Sequence, residues 1–121
     1  EQLLVKFRRS HLQLRHSFQR FREGVADSID RLRACDYNSR SCRLLAGSKM
    51  PISWPLHQGR PLPQQILGEP LPRSQEEVTA CAIGVIDKLL HMYGLPGGPE
   101  SGIPEAQRRR DLLTHIGIYG Q

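Results

Sequence analysis

The sequence is poor in cysteine, with only Cys35, Cys42 and Cys81 among 121 residues. An odd number of cysteines, in a chain long enough to bury an apolar core of its own, argues against a secreted domain held by disulfides and predicts a cytoplasmic location. None of the three belongs to a Cys-x-x-Cys pair, so no metal site is predicted. Cys81 is expected to be a small core residue, whereas Cys35 and Cys42 either meet across the intervening turn or remain free thiols.

The sequence also lacks long apolar runs and recognisable catalytic motifs. No stretch approaches the ~20 apolar residues of a membrane span, and the first residues do not have the apolar core of a signal peptide. There is no glycine-rich phosphate loop, no nucleophile elbow and no pair of carboxylates placed for acid–base chemistry. We therefore predict no catalytic residues, no cofactor and no small-molecule substrate, with an enzyme as a minor alternative only.

Acidic residues are nearly absent from the first 22 positions. This segment holds six basic residues against Glu1, and the rest of the chain is balanced, so the whole net charge of +5 lies there. Such a band suits the phosphates of a nucleic acid, and the candidate anion-binding residues are Arg8, Arg15, Arg20 and Arg22. The favoured interpretation is a solvated helix face whose arginine stems cover apolar surface, since no aromatic platform accompanies the charge.

Apolar residues recur between positions 4 and 32 with alternating spacings of three and four. This pattern predicts one amphipathic helix from about Gln2 to Ala34, with a bend at Gly24. We call its central part the apolar seam, which contains Phe7, Leu14, Phe18, Phe21 and Val25. So long a stripe exceeds what two shorter helices can cover, so we predict contact with a protein partner or a second copy. The alternative is coverage by the second helix of the same chain.

The middle of the chain is rich in proline. Six prolines between residues 51 and 73 exclude a regular helix or central strand and predict an extended connector, which Trp54 pins to the helices. A short helix is expected at Arg40–Ala46, before this connector. After it, Ser74 and Glu77 form a capping box that predicts a second helix over residues 75–93.

A third helix is predicted from about Pro104 to His115, because proline is favoured in the first turn. Its three successive arginines, residues 108–110, cannot all face one ligand, so a solvated face is predicted for them. The alternative is that Arg109 joins the basic band of the first helix. Asp87 and His91 lie one helical turn apart, where an ordinary surface pair is expected.

These elements predict an all-α fold in a single domain, residues 1–121. A long N-terminal amphipathic helix (1–34) packs with two shorter helices, which form a helical hairpin (74–116), and a proline-rich extended connector (51–73) joins them. The predicted core contains Phe7, Phe18, Phe21, Val25, Leu32, Trp54, Val78, Ala82, Val85, Ile86 and Leu89.

The leading functional hypothesis is a non-enzymatic interaction or regulatory module that associates through the apolar seam. The alternative is a small nucleic-acid-binding regulatory domain that uses the arginine band. Binding to a membrane surface is disfavoured because His11 and Ser28 interrupt the apolar stripe.

Overall fold

The computed structural model describes residues 2–44 and 47–119 and is mainly helical, as predicted. The helices are α1 (Gln2–Ser41), α2 (Gln75–Ala80), α3 (Ile83–Met92) and α4 (Glu105–His115). Two short 3-10 turns, Gly47–Lys49 and Pro99–Ser101, and a two-stranded antiparallel hairpin, β1 (Gln65–Ile66) with β2 (Glu69–Pro70), complete the described elements. The prediction of a single domain is consistent with this arrangement and stays a prediction.

Helix α1 begins where it was predicted and extends seven residues beyond the expected end, to Ser41. Residues 36–41 contain Asp, Asn and Ser, which usually compete with a helix by bonding to its backbone. Here Asp36 instead pairs with Arg40 at 3.2 Å, and Asn38 bonds to distant segments of the chain. Arg40 and Ser41, where a separate short helix was predicted to begin, therefore belong to α1. Residues 42–44 form a turn, and Leu45–Ala46 lie outside the described residues.

The proline-rich connector is extended and held against the helices, as predicted. The indole Nε1–H of Trp54 donates to the carbonyl of Pro72 at 2.7 Å, and this ring is half-buried against the core. Ile66 of β1 is buried in the core, and the tight turn that follows it places both Leu67 and Gly68 at positive φ (52° and 78°). Leu67 is consequently exposed.

The second predicted helix is divided in two at Cys81–Ala82. Its start is confirmed, because the Ser74 hydroxyl accepts the Glu77 amide at 3.2 Å. At the division, the carbonyl of Val78 does not accept the amide of Ala82, as it would in a continuous helix, and the Cys81 thiol donates to this carbonyl at 3.3 Å. Nη1 of Arg109 also donates to that carbonyl, at 2.9 Å, and Ala82 becomes the extended N-cap of α3. A side chain of α4 thus replaces one backbone bond of the interrupted helix.

The core lies between α2, α3, α4 and the connector. Val78, Val85, Ile86 and Leu89 are buried as predicted, and Trp54 is half-buried. The prediction is wrong for six residues, which are exposed: Phe7, Phe18, Phe21, Val25, Leu32 and Ala82. Their place in the core is taken by residues that the prediction omitted, namely Leu62, Ile66, Leu90, Leu112, Leu113, Ile116 and Ile118.

Candidate functional site

The apolar seam lies open to solvent along α1. Phe7, Phe18 and Phe21 are 70%, 61% and 68% exposed, and Leu14 and Val25 are also exposed. Every residue from 2 to 26 belongs to the exposed class, so about 37 Å of helix, at 1.5 Å per residue, extends away from the core. Coverage of the seam by the chain's own second helix, the alternative considered above, is therefore wrong.

Helix α1 is anchored to the rest of the chain through its C-terminal half, by polar contacts. The carboxylate of Asp27 accepts the Gly59 amide at 2.9 Å, and that of Asp30 accepts the Leu56 amide at 2.7 Å. One turn further on, the thiol of Cys35 donates to the carbonyl of His115. These bonds fix the helix on the connector and on the end of α4.

Asn38 is the most deeply buried of these anchors, at 2% exposure. Its Nδ2 donates to the carbonyls of Ser53 and Ile116 at 2.9 and 2.8 Å, and its Oδ1 accepts the Ser53 amide at 2.8 Å. Both ends of the amide are thus paired, as a buried amide requires. One side chain thereby joins α1 to the connector and to the C-terminal segment.

Three of the four anchors, Asp27, Asp30 and Asn38, lie on the side of α1 away from the apolar seam, whereas Cys35 lies about 100° around the helix from Phe18. At about 100° per residue, Asp27, Ala34 and Asn38 lie roughly 180° around the helix axis from Phe18 and Val25. The apolar stripe continues along the exposed side of the anchored half of α1, where Ile29 and Leu32 are 46% and 66% exposed. Anchoring the helix therefore leaves the stripe free along its whole length.

The sequence prediction missed Ile29 as a member of this stripe. It placed Ser28 at the corresponding position, three residues after Val25, although Ile29 follows Val25 by four residues and satisfies the same helical spacing. The polar anchors were missed as well, because the spacing of apolar residues carries no information about Asp27, Asp30 or Asn38.

The four candidate anion-binding arginines are all exposed, but they do not share one face. Arg8, Arg15 and Arg22 form a row beside the seam, which we call the arginine flank, whereas Arg20 lies about 140° around the helix from Arg15. Among the described residues, the two ion pairs found are Arg40–Asp36 and Arg108–Asp87. The arginine flank is thus solvated and takes part in neither pair.

The arginines of α4 are not the solvated row that was predicted. Arg108 is 6% exposed, and its Nη1 lies 2.6 Å from Oδ2 of Asp87, whose other oxygen accepts the Gly98 amide at 2.9 Å. Arg109 is directed at α2, so it does not join the basic band, and Arg110 is exposed. Asp87 is therefore engaged in a buried pair, and the surface pair with His91 is not formed.

A small cleft of about 480 Å³ lies where α1 meets the core, and its wall contains His57, Tyr93 and His115. The Tyr93 hydroxyl donates to the carbonyl of Pro55 at 2.8 Å. Burial raises the pKa of Tyr93, whereas burial, with a smaller contribution from Arg31, lowers the pKa of His115. The rings of Tyr93 and His115 pack against each other at 5.0 Å between their centroids, so the cleft wall is a packed junction between α1 and the core.

The cysteines are free thiols, so the bridge considered for Cys35 and Cys42 is not formed. Cys81 is half-buried beside Arg109, and burial raises the pKa of its thiol, so it lacks the depressed pKa of a reactive cysteine. Within residues 2–44 and 47–119, no three side chains of metal-binding type come together. No helix in the same part of the chain combines the length and the apolar character needed to cross a bilayer.

The open face of α1, with the apolar seam and the arginine flank, is accordingly the candidate site. No family model matches this sequence, and no significant similarity was found to a curated protein or to a solved structure.

Proposed function

We propose that this chain is a non-enzymatic protein–protein interaction module that associates through the apolar seam of α1. The observation that carries the proposal is the orientation of the helix, which is anchored by one side and carries Phe7, Phe18 and Phe21 on the opposite, exposed side. The cytoplasmic location expected from the cysteine content remains part of the proposal.

The size of the exposed stripe supports an intermolecular contact. A phenylalanine buries about 150–250 Å² in a core, so three rings at 61–70% exposure leave roughly 300–500 Å² in water. At about 25 cal/mol per Å², their burial is worth about 7–12 kcal/mol before the costs of association. With Leu14, Val25, Ile29 and Leu32, the stripe approaches the ~800 Å² per partner of a standard interface. Monomeric proteins seldom leave so large an apolar surface uncovered.

Two measurements test this proposal. Light scattering after size-exclusion chromatography, at protein concentrations from about 1 to 200 µM, detects self-association. Photo-crosslinking from benzoylphenylalanine at position 18 detects a partner in cells that express the full chain.

The matched control is Leu12, an exposed apolar residue on α1 that lies about 120° from Phe18 and outside the seam. We expect a complex that the double variant F18S/F21S loses and L12S retains, and crosslinks from position 18 but not from position 12. A monomer at every concentration, with equal crosslinking from both positions, would refute the proposal.

A nucleic-acid-binding regulatory domain is the second candidate. It is favoured by residues 2–22, which contain six basic and no acidic residues and whose arginines are all exposed. Contacts to phosphate release counterions, so binding to a DNA or RNA duplex should weaken steeply between about 50 and 200 mM salt. Charge reversal at Arg15 and Arg22 should abolish that affinity, and an affinity that ignores the reversal would exclude this candidate.

A further inference from the structure

The two sides of the apolar seam differ in charge and size. On one side lies the arginine flank, Arg8, Arg15 and Arg22. On the other side the corresponding positions hold Ser10, Ser17 and Gly24, and a Cβ added at Gly24 would meet nothing within 4 Å. In heptad terms the arginines occupy one of the two positions that border a helix–helix seam, and these positions select the partner and its orientation. The surface therefore distinguishes one flank of a docked helix from the other.

A second copy of this chain fits the charge of that surface poorly. In an antiparallel pair, the arginine flank of one helix would face the arginine flank of the other, and like charges in those positions repel. In a parallel pair the arginines would face Ser10 and Ser17, which give them no counter-charge. Either arrangement brings together two helices that each carry six basic and no acidic residues between positions 2 and 22. In the antiparallel pair the facing arginine rows would be poorly screened from each other, because salt at 0.1 M screens charges only beyond ~10 Å.

We infer that the seam binds an acidic amphipathic helix of another protein, an inference that rests on the function proposed above. Its apolar residues would cover Phe7, Phe18 and Phe21, and Asp or Glu side chains on one flank would meet the arginine flank. Arginine is suited to this role because its planar guanidinium binds a carboxylate through two parallel hydrogen bonds. The small residues of the opposite flank leave room for bulky side chains of the bound helix.

Designed peptides of known sequence provide the test. Two 28-residue helical peptides carry leucine at the same seam positions, and the flanking positions are Glu in one and Lys in the other. Binding of each fluorescein-labelled peptide to the full chain is measured by anisotropy at about 0.1 M and 0.5 M salt. Three exposed ion pairs predict that the Glu peptide binds at least about tenfold more tightly at the lower salt, with a smaller ratio at the higher salt.

A charge-reversal variant controls for nonspecific damage to α1. The variant R15E should reduce the preference for the Glu peptide and improve binding of the Lys peptide, a result that simple damage to α1 would not produce. The variant F18S should weaken both peptides, whereas L12S should weaken neither. Circular dichroism of each variant verifies that the helix content is retained.

The remaining outcomes separate this inference from the proposed function. Equal affinities for the two peptides, with loss in F18S, would overturn the acidic partner and leave the seam as a helix-binding surface. A dimer of the chain that excludes both peptides would do the same and would identify a second copy as the occupant. Preferential binding of a DNA or RNA duplex that R15E abolishes would overturn the inference in favour of a nucleic acid. If neither peptide binds and the chain stays monomeric, the inference fails, and the proposed function fails with it when crosslinking from positions 18 and 12 is also equal.

Discussion

Replacement of Phe18 by alanine should leave the free energy of unfolding of the monomer almost unchanged. A buried phenylalanine loses about 3–5 kcal/mol on truncation to alanine. Phe18 is 61% exposed, so we expect the free energy of unfolding to change as it does for surface substitutions, by no more than about 0.5 kcal/mol in either direction. The higher helix propensity of alanine offsets whatever small contact is lost. The matched control is L89A, in a side chain with 0% exposure, which should cost about 2–5 kcal/mol.

Trp54 supplies the assay. It is the only tryptophan in the chain, and it is half-buried with its Nε1 bonded to Pro72, so its fluorescence reports unfolding of the core in urea. The measurement should be made at several protein concentrations, because association would add stability that the variant loses by mass action. A loss above about 2 kcal/mol for F18A at the lowest concentration would refute the exposed seam, since only burial explains a cost of that size.

The remaining stability predictions concern the core and its junction with α1. D87A should cost about 3–5 kcal/mol, because it leaves the charge of Arg108 buried without a partner, and removal of both groups should recover part of that loss in urea denaturation. G117A should lower the free energy of unfolding by at least about 2 kcal/mol, because the φ of Gly117 is +96° and a new Cβ would clash with the backbone of α1. G24A should raise the free energy of unfolding by about 0.5–1 kcal/mol. Equal effects of the two variants would refute this contrast. The lowered pKa of His115 means that the unfolded chain binds more protons, so stability should fall as the pH decreases below about 6.5. H115Q should flatten that profile, and an unchanged profile in the variant would contradict the assignment.

Local sequence signals predicted the starts of the helices better than their continuity. The Ser74–Glu77 cap and Pro104 marked the starts of α2 and α4 because those signals depend on neighbouring residues alone. At the division between α2 and α3, the Val78 carbonyl is bonded by Arg109, a residue 31 positions further along the chain. No periodicity within residues 75–93 carries that information.

The seam itself was predicted, but the side of α1 that meets the core was not. Apolar spacing identifies the stripe of Phe7, Phe18 and Phe21, and burial in a core is the usual fate of such a stripe. In this chain α1 is attached by Asp30 and Asn38 through hydrogen bonds to the connector and the C-terminal segment. Because α1 is attached through polar groups, its apolar side stays exposed. Which side of α1 meets the core can be seen only from the three-dimensional contacts of those polar groups.

The anchored half of α1 also determines how its open half forms. Starting a helix is costly and extending one is not, so residues 27–41, fixed by their bonds to the core, act as the nucleus from which the helix extends towards Gln2. Residues 2–26 are all exposed, and protection from hydrogen exchange should therefore decrease steadily from Asp27 to the N-terminal end. N38A, which loosens the nucleus, should lower the protection of this half, and a helix bound to the seam should raise it most at Phe7. Uniform protection along α1 without a partner would show that something else covers the seam.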